Sequence, residues 1–133
     1  MSETYIPAEL RRLVINRAHS RCEYCQIEEA DTYFGCEVDH IISEKHGGGT
    51  DETNLALACV PCNRAKGSDI ATRADDGSLV ELFHPRRHEW PEHFLVEGLL
   101  IVGRTTIGQA TVRVLKLNAP VRLSEREALR SIQ

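Results

Sequence analysis

Two Cys-x-x-Cys pairs, Cys22–Cys25 in CEYC and Cys59–Cys62 in CVPC, constrain this chain more than any other feature. Each pair can hold two thiolates about one tetrahedral edge apart on a tight turn, and two such turns complete a closed four-sulfur site. In a reducing compartment the pattern argues for Zn²⁺ rather than for disulfides. A closed site offers no position to a substrate, so the zinc is expected to be structural and to contribute folding free energy. Unrelated surface knuckles or a redox dithiol are the competing readings. Residues 26–58 separate the pairs, a longer insert than the ~15–20 residues of a zinc ribbon. Cys36, the odd cysteine, reads as a small buried hydrophobe.

Composition adds bounds. Aromatic residues make up only 5% of the 133 residues, so the core must be aliphatic and helped by the metal. The length predicts one domain, 1–133, with a core at about 10–70 and an extension over 71–133. No stretch approaches the ~20 apolar residues that span a bilayer. The opening MSETYIPAELRR lacks the basic-then-apolar order of a secretory signal, so a cytoplasmic location is expected. A net charge of −4 does not suggest a nucleic-acid partner, which calls for a basic footprint. Positive charge is nevertheless clustered: Arg11, Arg12, Arg17 and Arg21; Arg64 and Lys66; Arg86 and Arg87.

The patterning is α+β. Leu10, Leu13, Val14, Arg17 and Ala18 recur at helical spacing over 7–20. Residues 26–35 read as a loop or short turn. Val38, Ile41 and Ile42 mark one strand and Leu55–Ala58 another, joined by the glycine-rich KHGGGTDET. Pro61–Lys66 opens a helix that Gly67 stops. Beyond it, 68–78 reads as a connecting turn or loop, 79–83 as a strand, 84–94 as a loop and 95–103 as a hairpin around Gly98. Thr106–Leu117 is a predicted helix, and Ser124-x-x-Glu127 predicts a last one by its capping-box pattern.

Asp39 and His40 lie inside the insert between the cysteine pairs. A carboxylate suits a hard cation such as Mg²⁺, and an imidazole suits proton abstraction from water. Together they meet the needs of phosphodiester hydrolysis, provided that the strand ends or twists so that both reach one centre. Asn63, directly after Cys62, can add a neutral oxygen ligand. Arg64 and Lys66 either hold phosphate oxygens or form a solvated helix face. His46 reads as a polar loop residue.

The segment EVDHIISEKHGGGTDETNLALACVPCNRAKG, with CEYC upstream, resembles the HNH endonucleases. The resemblance implies a small zinc-stabilised ββα-metal core, here carrying an N-terminal helix and a C-terminal hairpin-and-helix extension. It implies that His40 is the general base, that Asp39 binds a catalytic Mg²⁺ or Mn²⁺, and that Asn54 braces the glycine-rich loop. Asn63 stands where the motif usually has a histidine, making this an H-N-N variant in which Asn63 completes the cation site. DNA is the implied substrate. The stretch LFHPRRHEWPEHF also resembles extensions of some HNH proteins. There Arg86, Arg87 and Trp90 either clamp nucleic acid or, as the reading preferred here has it, Leu82, Phe83, Trp90 and Phe94 cover the core and the histidines are exposed. His93 is a candidate to approach the metal from outside the motif. The alternative to an enzyme is a non-catalytic zinc module that binds nucleic acid or a protein. Neither oligomeric state nor DNA specificity is legible.

Overall fold

The computed structural model describes residues 5–132. Residues 1–4 and 133 lie outside the described residues, and with them the start of the stretch read for a leader signal. The elements run α1 (Ala8–Arg17), β1 (Cys36–His40), β2 (Leu55–Cys59), α2 (Val60–Lys66), β3 (Ala71–Arg73), β4 (Leu79–Glu81), α3 (Trp90–His93), β5 (Phe94–Glu97), β6 (Leu100–Gly103), α4 (Thr106–Val114) and α5 (Pro120–Ser131). Short 3₁₀ turns occupy Glu29–Asp31 and Glu44–His46. The strands form three antiparallel pairs, β1–β2, β3–β4 and β5–β6. The architecture is α+β.

β2 is the centre of the molecule, and its sequence LALAC says why. Every residue in it is buried, and strand alternation sends its side chains to two different cores. Leu55 and Leu57 pack with Ile6 and Val14 under α1. Ala56 and Ala58 face the other way, into a cluster with Tyr24, Phe83, Phe94, Ile101 and Leu117. The small alanines let the extension approach closely on that side.

β1 pairs with β2 from Cys36↔Cys59 to His40↔Leu55. The connection between them turns through Gly48, where a Cβ would sit 1.7 Å from the Ile42 carbonyl oxygen. Only glycine fits there. Asn54 locks the same loop. Its Oδ1 accepts the Ile42 N–H at 2.9 Å, and its Nδ2 donates to the carbonyls of Ile42 at 2.8 Å and Gly49 at 2.9 Å.

In the extension, Thr105 caps α4 by accepting the Gly108 N–H at 3.1 Å. Fully buried Thr111 accepts the Phe83 N–H at 2.8 Å and so ties α4 to the segment after β4. Asn118 holds both polar backbone groups of Ile101, at 3.0 and 2.9 Å.

Several expectations need correction. Residues 68–78 contain β3, which forms a hairpin with β4 in place of a plain loop. Its turn is the Asp-Gly signal itself, closed by Ser78 donating to Asp76. Trp90–His93 forms a short helix inside the expected loop. α5 begins at Pro120 rather than at Ser124, because proline at a first-turn position starts a helix as readily as it ends the preceding one. On α1, Leu13 is turned outward, while Val14 alone is fully buried.

Candidate functional site

The four cysteines of the two pairs converge. Their sulfurs lie within 4.8 Å of one another and all four residues are buried. The Cys25 and Cys59 sulfurs are 3.7 Å apart, close to the ~3.8 Å edge of a tetrahedron with Zn–S of ~2.3 Å. That is far beyond disulfide length. The Cys25 N–H donates to Cys22 Sγ at 3.4 Å, a contact that stabilises a ligating thiolate. The donor set and its spacing fit a structural zinc. The knuckle that carries Cys22 and Cys25 is pinned to β2, since Glu23 N–H donates to the Leu57 carbonyl at 2.8 Å and Glu23 Oε2 accepts the Leu57 N–H at 2.8 Å. Trp90 Nε1 reaches over from the extension to the Tyr24 carbonyl at 2.8 Å. Cys36 is half-buried between the two cores, and burial together with the nearby thiolates pushes its thiol up to about 12.

The second centre belongs to the same unit and borders the core under α1 through Ile6 and Leu57. A cavity of about 260 Å³ is lined by Asp39, His40 and Asn63 together with Arg11, Glu37 and Val38. His40 is the last residue of β1 and pairs in register with Leu55. Its Nε2 is 2.8 Å from Thr50 Oγ1 and 3.7 Å from a Glu44 carboxylate oxygen. The glycine-rich loop, locked by Asn54, thereby orients the ring. Asn63 follows a zinc ligand directly on α2, so the metal knot and the cavity share one helical turn.

Burial pushes the Asp39 carboxyl above the ordinary carboxylate range, and the nearby Lys66 ammonium pulls it only part of the way back. Lys66 itself is lowered by burial against the pull of Asp39 and Asp69.

Two of the expected phosphate contacts are placed elsewhere. Lys66 is buried, and its Nζ donates to the Ile41 carbonyl at 2.7 Å. It fixes the backbone just after His40 and does not face solvent. Arg86 pairs with Glu23 in a half-buried contact, which turns its Nη2 toward the knuckle rather than toward solvent. Arg64 alone of the three is exposed. Trp90 stacks on Phe94 with ring centroids 5.0 Å apart, and Leu82, Phe83 and Phe94 are buried, as the covering reading expects. The histidines there are not exposed, however. His84 is buried, and burial, with the charges of Arg87 and His88, lowers it to about 4. His93 holds Thr105, 2.6 Å away, and lies against Phe83 and His88.

Sequence reasoning missed Arg122, whose guanidinium contacts the sulfurs of Cys59 and Cys62. It also missed Thr50 and Glu44, whose only signal was their place in the loop after the Asp-His pair.

Over residues 22–69 the chain matches the family model described as HNH endonuclease. No curated protein and no solved structure gives a match. Among the described residues no helix is long and apolar enough to cross a membrane.

Proposed function

We propose, from the HNH endonuclease-family core that residues 22–69 form, that this chain is a metal-dependent endonuclease hydrolysing phosphodiester bonds of DNA. One observation carries the reading: Asp39, His40 and Asn63 line a single cavity. In it Asp39 and Asn63 would hold a Mg²⁺ or Mn²⁺ ion, which supplies positive charge for the phosphate and the leaving oxygen. With Nε2–H given to Thr50, the Nδ1 lone pair of His40 is the base that removes a proton from water. The oxygen of that water attacks phosphorus, and the bond to the 3′ oxygen breaks. The imidazolium left behind faces the Glu44 carboxylate, which steadies its charge. Asn54 acts through the loop: it keeps Thr50 and Glu44 in register with the ring. Zinc keeps α2, and so Asn63, against β1.

The test is a cleavage assay on supercoiled DNA with Mg²⁺ or Mn²⁺. His40→Ala should lose about 10²- to 10⁴-fold in rate while keeping one zinc and the native fold. A chain that nicks no DNA with any divalent ion would instead be a non-catalytic zinc module. The burial of Lys66 and the pairing of Arg86 favour that second reading, because they reduce the free positive charge near the cavity.

A further inference from the structure

α5 buries one residue fully, and that residue is an arginine. A surface helix normally seats itself through an apolar stripe, yet Val121 of α5 is exposed and Arg122 is 5% exposed. The Arg122 Nη2 lies 3.5 Å from Cys62 Sγ and 3.7 Å from Cys59 Sγ. Among the described residues no carboxylate forms an ion pair with it. Its neighbour Arg126 behaves differently and donates to the neutral carbonyls of Leu117 and Leu99. A guanidinium so deeply buried requires a compensating charge. Four thiolates around Zn²⁺ supply a net charge of about −2.

We propose that Arg122 is the counter-charge of the zinc tetrathiolate, so that loading of the metal and docking of α5 are one linked event. Arg122 is a positioning residue. Its N–H groups withdraw charge from two of the four sulfurs, slow release of the ion and make Cys59 and Cys62 poorer nucleophiles than Cys22 and Cys25. Reciprocally, the metal site anchors the end of the extension to the core. None of this depends on nuclease activity.

The test uses the full chain with Arg122→Met and Arg122→Lys. Zinc release to a chelator should be about 10- to 100-fold faster in Arg122→Met, the usual cost of losing a partner of a metal ligand. With Co²⁺ in place of zinc, the sulfur-to-metal charge-transfer absorption should move to longer wavelength. Iodoacetamide should alkylate Cys59 and Cys62 later than Cys22 and Cys25 in the native chain, that lag should vanish in Arg122→Met, and the amides of α5 should exchange faster in the variant. A native release rate with a native cobalt spectrum would overturn the proposal. So would alkylation that is already even over the four cysteines in the native chain. If the methionine chain does not fold, Arg122→Lys decides alone. The lysine side chain is one bond shorter, so its ammonium cannot sit where Nη2 meets both sulfurs; faster alkylation at Cys59 or Cys62 supports the assignment, and native values at both overturn it.

Discussion

The two centres share one β1–β2–α2 unit, and they are built by opposite rules. At the zinc site the four sulfurs are buried and meet one another, the Cys25 N–H and the Arg122 guanidinium. At the cavity, burial raises the Asp39 carboxyl, and a buried lysine compensates it only in part. One centre is closed, its four sulfurs spaced to surround a zinc ion with no position left for a substrate, and so it stabilises the fold. The other leaves the Asp39 charge only partly answered by Lys66, the charge that the proposed cation would meet. Cys62 and Asn63, adjacent on α2, are where the two rules meet: the stability of the first holds the second in place.

The comparison breaks most visibly at the metal. Cys62→Ser should remove zinc and unfold the whole described core at 25 °C. A structural zinc contributes roughly 10–16 kcal/mol in small zinc peptides, as much as the ~5–15 kcal/mol net stability of an ordinary domain. Far-ultraviolet circular dichroism and zinc content check this together. Native melting with stoichiometric zinc in Cys62→Ser would mean that the sulfur cluster is not what holds the cavity together.

A smaller change separates the centres. Asn54 makes three hydrogen bonds to the loop between β1 and β2. Truncation leaves buried backbone groups unpaired, at about 1–3 kcal/mol. Asn54→Ala should therefore melt lower and cleave more slowly, with zinc content unchanged. Cleavage at the native rate would remove the loop from the mechanism and leave His40 oriented by other means.

These effects follow from features whose legibility in sequence was uneven. The cysteine pairs were legible because each ligating turn is local. So was the strand over Leu55–Ala58, from its apolar run, and so was Asn54, through the resemblance to the HNH motif. Lys66 was misread although the information was local: it lies four residues after Cys62 and three after Asn63, on their side of α2 and not on that of Arg64. Arg86 and Arg122 were beyond reach. Their partners, Glu23 and the Cys59–Cys62 sulfurs, are some 60 residues away in sequence, and nothing in the local pattern distinguishes a paired arginine from a free one. β3 escaped because a three-residue strand with little apolar content exists only through its pairing with β4.

The subtlest expected effect lies at Asp39, and it tests the contrast directly. For a carboxyl raised by folding, the native state binds the proton more tightly than the unfolded chain does. That contribution to stability is present below the unfolded pKa of ~3.9 and is lost as pH rises through the higher native value. Ionised Asp39 is thus a burden at neutral pH in the absence of a cation. Asp39→Asn keeps the shape, removes the charge and should raise the melting temperature slightly at pH 7, with the advantage vanishing in acid. The same substitution should abolish cleavage. Addition of Mg²⁺ or Mn²⁺ should raise the melting temperature of the native chain, by binding only the folded state, and leave that of Asp39→Asn unmoved. Thermal melts at two pH values, with and without the ion, read all of this. A variant that is less stable at pH 7, or that gains as much from the cation as the native chain, would show that the chain alone compensates Asp39. The distinction between a closed centre and an open one would then fail.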